Sequence, residues 1–472
     1  MDPFILIAIG TLIVLGGILG LRLNAFLALF MAALIVSWLT PDSNIEKYAA
    51  AKNISAQETT QLIQQSAGER VANGFGSTCA KIGILIALAS IIGKSMLDSG
   101  AADRIVRSAI RLLGEKRAPA AFLGSGFFLA IPVFYDTVFY LLLPLGKAMA
   151  TRNERNYLLY ILSIVAGTAM THSLVPPTPG PLFVAGALNV DIGTMIMGGI
   201  VVGFFTVAAG YLYALWANRR WQIPLRETND ISLKELKLLS TKEDHELPSI
   251  WLSLLPILLP VVLIAGRTIL NATVTISDLT FLKLLDNLGN SNTALAIAAA
   301  IAMGTLVYSK RNDKQKLSTS VGAALSSAGT IILITAAGGA FGAILQQTGV
   351  GPSIEGLAND YQIAILPLAF FVTLLVRTAQ GSATVAMITA VGILSGFSDP
   401  ATLGFHPVYL ALVIGCGSKV IPWMNDSGFW IISKMSGFTE RETLKTFSVM
   451  LTIMGFTGLI VVMVLAKFFP FV

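Results

Sequence analysis

Thr171-His172-Ser173-Leu174-Val175-Pro176-Pro177-Thr178-Pro179-Gly180-Pro181 interrupts an apolar run that continues on both sides, over 158–169 and 182–188. Four prolines within six residues cannot continue a helix, because each lacks an N–H and clashes with the preceding turn. Irregular backbone at membrane depth survives only where protein encloses it or where it lines a watery cavity. Half-helix ends at such breaks are where transporters hold anions and coupling ions. The stretch therefore predicts a discontinuous transmembrane helix at a substrate site, rather than a simple kink, for which one proline suffices.

The composition fits that setting. Apolar residues make up 54% of the 472-residue chain and charged residues only 12%, against about 25% charged in a soluble domain. Mean hydropathy is +0.75. An all-α polytopic membrane protein is expected, with the lipid bilayer as its main partner. The net charge of +6 calls for no nucleic acid, since it follows if the excess Lys and Arg lies on one membrane face. Cys79 and Cys416 sit far apart in apolar sequence, neither a disulfide framework nor a zinc spacing. Met1-Asp2-Pro3 carries no basic n-region, so the first apolar run is read as a retained span. Ile92-Gly93-Lys94-Ser95 ends like a phosphate-binding loop, but Leu88 stands where its first Gly must be. With three histidines no His-based metal cluster is expected, and no cofactor beyond a coupling ion.

In chain order, spans are expected at 4–21 and 24–39, a polar surface segment at 41–72, and a third span at 79–97. Arg104, Arg107 and Arg111 recur at 3–4 spacing, as on an interfacial helix. The apolar stretch 118–149 is broken at Ile131-Pro132-Val133-Phe134-Tyr135-Asp136-Thr137 into arms too short to span, which predicts a re-entrant hairpin. The broken helix follows at about 157–188, then a span at 194–216. Residues 218–247 are a charged linker, expected on the cytoplasmic side. The second half, 248–472, offers spans near 250–267, 292–308 and 320–346, a second hairpin at about 363–394, a second broken helix at about 406–433 and a last span at 445–466. Residues 271–290 read as a loop or short interfacial helix.

The halves 1–217 and 248–472 match at an offset of about 249. Asp98-Ser99-Gly100 falls on Gln347-Thr348-Gly349, Pro177 on Asp426, Pro179 on Gly428, and Thr137-Val138 on Thr384-Val385 with a slip of two. A repeat that brings a hairpin and a broken helix in each half is a transporter pattern. With both termini outside, 22 Lys and Arg fall on the cytoplasmic side and 6 outside, a bias that decides orientation. The repeats are then inverted, hairpin 1 entering from the cytoplasm and hairpin 2 from outside.

Helix N-termini at the breaks present unpaired N–H groups that favour anions. Around them the sequence supplies Thr137, Thr171, Ser173, Arg377, Gln380, Gly381, Ser382, Thr384, Asn425 and Ser427 as candidate substrate contacts. Arg377 can bind a carboxylate bidentately, or serve as a structural partner of an Asp. Asp136, His172 and Asp426 are the candidate proton carriers, with helix capping the competing role for Asp426. Lys94 and Lys419 are read as snorkelling to the interface and set aside.

On Thr171–Pro181, on Arg377-Thr378-Ala379-Gln380-Gly381-Ser382-Ala383-Thr384-Val385-Ala386 and on Asn425-Asp426-Ser427-Gly428-Phe429-Trp430, the chain resembles the gluconate:proton symporter (GntP) family of the ion transporter superfamily. The resemblance implies uptake of gluconate or a related sugar acid, or in some relatives another hydroxy acid or D-serine. It also implies a homodimer with a scaffold and a mobile part that moves elevator-fashion. Many members carry His where Thr178 stands, and a hydroxyl cannot take a proton-carrying role there.

The expected function is secondary active import of a small hydroxy-carboxylate across the bacterial cytoplasmic (inner) membrane. Protons are the expected coupling ion and sodium the alternative. Two readings of other classes compete. An intramembrane enzyme would need a nucleophile–base pair or a carboxylate metal site, where the sequence offers scattered singles. A passive channel fits two matched breaks less well than alternating access does.

Overall fold

The structure, a computed structural model, describes residues 1–21, 23–152, 154–226, 247–273, 279–309, 314–349, 364–394, 403–424 and 426–471. Most of the 218–247 linker, parts of the 271–290 segment and Asn425 fall outside the described residues.

Among the described residues, seven helices are long and apolar enough to cross a membrane, or eight if the bent pair Ala25–Leu39 and Asp42–Ala51 is one span. Large apolar side chains cover the outside, with Leu12, Phe204, Trp251 and Tyr308 all mostly exposed. Water would penalise such a surface and lipid does not. This is an integral membrane protein.

Local signals set the helix ends. Asp2 and Asn24 cap the first two helices, Pro3–Leu15 and Ala25–Leu39, by accepting from Phe4 and Phe26. A Ser66–Glu69 capping box starts the third span at Ala67, and Gly100 in the left-handed region at φ 82° ends it. That span, Ala67–Ser99, runs 33 residues and begins 12 positions before the expected 79. Its first turns are polar, and hydropathy alone does not register helix that extends beyond the lipid. Ala101–Leu113 is the expected amphipathic helix and buries Ala101, Ala102, Ile105 and Val106. Leu279–Leu288 is a short helix within 271–290.

Pairs of helices stand where the two hairpins are expected. The first has arms Ala118–Leu129 and Tyr135–Arg152, the second Ile365–Gln380 and Ala383–Leu394. One arm of each pair, 12 residues long, reaches about 18 Å, well short of a ~30 Å hydrocarbon core, whereas Tyr135–Arg152 at 18 residues reaches about 27 Å and is longer than the expected short arm. The first broken helix is Tyr157–Leu174 followed by Pro179–Ala187. The break is therefore narrower than the motif: Thr171, His172 and Ser173 lie in the last helical turn. Pro179 opens the next helix, where a missing N–H costs nothing. The second is Val408–Gly417 followed by Ser427–Ser436, broken over 418–426.

The broken span Tyr157–Ala187 is 100% buried in its apolar window, whereas Ile250–Asn271 is 28% buried. The interrupted backbone is thus wrapped in protein while intact helices face lipid, as unsatisfied peptide groups require. Glycines let these elements close. A Cβ at Gly167 would run into the Leu123 carbonyl of hairpin 1, and one at Gly417 into the Phe370 carbonyl of hairpin 2. Around this core stand the long helices Ala67–Ser99 and Lys314–Gln347, packed together with Gly83 against Ile332.

Candidate functional site

The four interrupted elements meet. The two breaks cross where Gly415 lies on the Ser173 carbonyl, and Ser418 Oγ, which donates to the Gly415 carbonyl at 2.7 Å, lies 3.3 Å from Ser173 Oγ. The second half of each broken helix packs on the other half's hairpin. Pro179–Ala187 lies against Ala383–Leu394, with Gly180 on Met387, and Ser427–Ser436 lies against Tyr135–Arg152, with Gly428 on the Tyr135 hydroxyl.

At this junction Arg377, 3% exposed, pairs through Nη2 with Asp426 Oδ2. The other carboxylate oxygen accepts from the Gly428 N–H at 2.6 Å and caps the Ser427–Ser436 helix. Both roles weighed for these residues are thus filled at once: Asp426 caps a helix and pairs with Arg377. Yet one carboxylate does not satisfy a guanidinium with five N–H groups. Arg377 Nε and Nη1 are buried without a hydrogen-bond partner among the described residues. Trp423 braces the arrangement by donating its indole N–H to the Thr378 carbonyl at 2.7 Å.

Lys419 is also buried, 4% exposed, with its ammonium 5.0 Å from the centre of the Tyr135 ring. Reading it as snorkelling is corrected by this placement: the backbone turn at Ser418 aims it inward. Lys94 instead pairs with Asp98 one turn on, at 2.8 Å. Arg377 and Asp136 lie near enough for their charges to act on Lys419, and Lys419 acts on His172 in turn. His172 packs on the Phe134 ring at 5.7 Å, tying the first break to the first tip, and its Nδ1 is buried without a partner among the described residues.

The other candidates divide. Asp136 is half-buried at the tip of hairpin 1 beside this cluster. Gly381 makes the turn of hairpin 2 at φ 85°, and Ser382 and Thr384 follow it half-buried, Ser382 Oγ accepting from the Val385 N–H at 3.4 Å. Ser427 is exposed at its helix start. Thr171 is fully buried and donates to the Gly167 carbonyl of its own helix at 2.9 Å, so its hydroxyl proton is already committed. Thr137 lines a separate cleft with Ser90, Lys94 and Ser327. The side chain of Gln380 and all of Asn425 lie outside the described residues. The half-helix at Pro179 is a poorer anion site than its position suggests, because Pro179 and Pro181 have no N–H and Gly180 alone has one to offer.

Sequence reasoning missed Lys419 and the bracing by Trp423. A lysine at the end of an apolar run reads equally as inward or snorkelling; its neighbours Gly417 and Ser418, at a break, were the available signal.

Comparison with known proteins agrees with this architecture. The GntP family permease pattern matches residues 3–468. The chain is 35% identical to a gluconate permease of Pseudomonas aeruginosa, covering 84% of this chain and 86% of that protein. It is 31% identical to a low-affinity gluconate transporter of Escherichia coli, covering 98% and 97%. Its fold is similar to the crystal structure of the Alcanivorax borkumensis YdaH transporter, with a TM-score of 0.62 at 13% identity, over 88% of this chain and 90% of that one. These matches overturn the intramembrane-enzyme alternative: the chain is a permease, and it belongs to the GntP permease family.

Proposed function

We propose that this permease imports gluconate or a closely related small sugar acid across the bacterial cytoplasmic membrane by proton symport. The observation that carries this reading is the Arg377 guanidinium, buried at the meeting point of four interrupted elements with two N–H edges unpaired. A substrate carboxylate satisfies those edges with charge-assisted hydrogen bonds. Ser382, Thr384 and Ser427 supply polar groups for the polyol chain. The names of the two gluconate-transporting relatives support the substrate class.

Alternating access by an elevator motion between inverted repeats is part of the reading. Two clefts support it. One is lined by Ser90, Gly93, Lys94 and Leu97; the other by Gly339, Gly342, Ala343 and Gln346, each 249 positions later. The long helices thus present equivalent faces to the core, but the core meets them in different register. Gly93 touches Pro132 and Val133 at the tip of hairpin 1, whereas Gly342 touches Gly392, well along the second arm of hairpin 2. That difference of about a dozen residues corresponds to a stroke of about 18 Å. With the termini outside, the core sits toward the cytoplasm, and exchanging the two registers gives the outward state. A homodimer held through the scaffold leaves the core free to move.

Uptake of labelled gluconate into proteoliposomes tests the reading. Accumulation driven by an imposed inward proton gradient is expected. Uptake that ignores that gradient and follows sodium would remove the proton coupling, and no uptake of any sugar acid would remove the substrate class.

A further inference from the structure

We propose that Lys419 is the proton-carrying group and binds its proton together with the substrate carboxylate; this rests on the carboxylate-import reading above. Among the described residues, the polar and charged groups facing Lys419 are few. Tyr135 and Asp136 come from hairpin 1, His172 from the first broken helix and Arg377 from hairpin 2, with Asp426 just beyond on the second broken helix.

Two of these charges cancel, because Asp426 is committed to Arg377 and to the Gly428 N–H. Asp136 is only half-buried and keeps part of its hydration. Among the described residues no carboxylate lies within ion-pair distance of Lys419, whose ammonium stands 5.0 Å from the centre of the Tyr135 ring. A ring can attract an ammonium, but not by enough to replace lost water in an interior site. In the empty carrier, then, the buried Lys419 has no counter-charge to hold its proton and gives it up. A carboxylate held by the free edges of Arg377 brings the missing negative charge next to Lys419. The amine takes up one proton, its lone pair forming the N–H bond, and becomes the ammonium that the anion neutralises. The loaded core then carries no net charge from the substrate and its proton, so it can cross the bilayer without moving charge through lipid.

Coupling arises here from charge balance in one pocket. It needs no acid residue that titrates on its own.

Calorimetric titration of the purified permease with gluconate, in two buffers of different ionisation enthalpy, reads this directly. At alkaline pH roughly one proton is taken up per gluconate bound, and affinity falls as pH rises. No proton uptake by the wild-type protein would overturn the proposal without needing a variant. In Lys419→Arg the charge cannot be lost. This variant should bind gluconate with an affinity flat in pH and exchange it in counterflow, but lose accumulation driven by the proton gradient. A Lys419→Arg protein that still couples uptake to protons assigns the proton elsewhere, with Asp136 or His172 the remaining carriers. Failure of the wild-type protein to bind gluconate at all would instead refute the import reading beneath it.

Discussion

Arg377 was legible in the sequence because an arginine inside an apolar run is costly unless something pairs with it. What pairs with it was not legible: Asp426 lies 49 positions away, and only the crossing of the second break over hairpin 2 brings them together. Arg377→Ala should remove gluconate binding and also leave Asp426 buried without its counter-charge, at about 3–5 kcal/mol. Arg377→Lys keeps the charge but loses the fork, so thermal unfolding in detergent should recover part of that stability while calorimetry shows weak or no gluconate binding. Full affinity in Arg377→Lys would mean the two free guanidinium edges do not hold the carboxylate. The hydroxyls were harder to read. Thr171 and Thr137 sit in the right motifs, but a helix directs one into its own backbone and the other into a side cleft. Those directions depend on helix phase within a turn, which a break of unknown length leaves open.

At the scale of elements, hairpins and breaks were recoverable because prolines and glycines interrupt runs too short to span. Their ends moved by several residues. Prolines tolerate the first turn of a helix, so a proline cluster marks the break and the start of the next helix alike. The close crossings rest on glycines whose partners are backbone carbonyls and cannot move aside. Gly167→Ala and Gly417→Ala should each cost about 1–3 kcal/mol by forcing apart a broken helix and its hairpin. Gly304 lies in the helix Ser291–Ser309 with open space around it. Gly304→Ala should be neutral or stabilise by up to about 1 kcal/mol. Comparing the three melting temperatures checks the packing, and equal shifts would contradict it.

For the whole molecule, the charge bias and the 249-residue offset are the sequence grounds for the proposed orientation and pairing of halves, but no sequence pattern gives the distance that the proposed sliding core would travel. The two clefts are the grounds for that proposed distance. A cysteine pair at Gly93 and Val133 should cross-link readily in the state described here, where the two positions touch. A pair at Gly342 and Gln380, the equivalent positions of the other half, should cross-link only when the core has moved outward. Ready linking of both pairs in one static population would argue against a single sliding core. The site itself is tested most directly by titrating the wild-type protein with gluconate and with an uncharged six-carbon polyol. Gluconate should bind and the polyol should not, with gluconate binding lost in Arg377→Ala. Equal binding of the two, or gluconate binding that survives Arg377→Ala, would contradict a carboxylate held at the junction of the four broken elements.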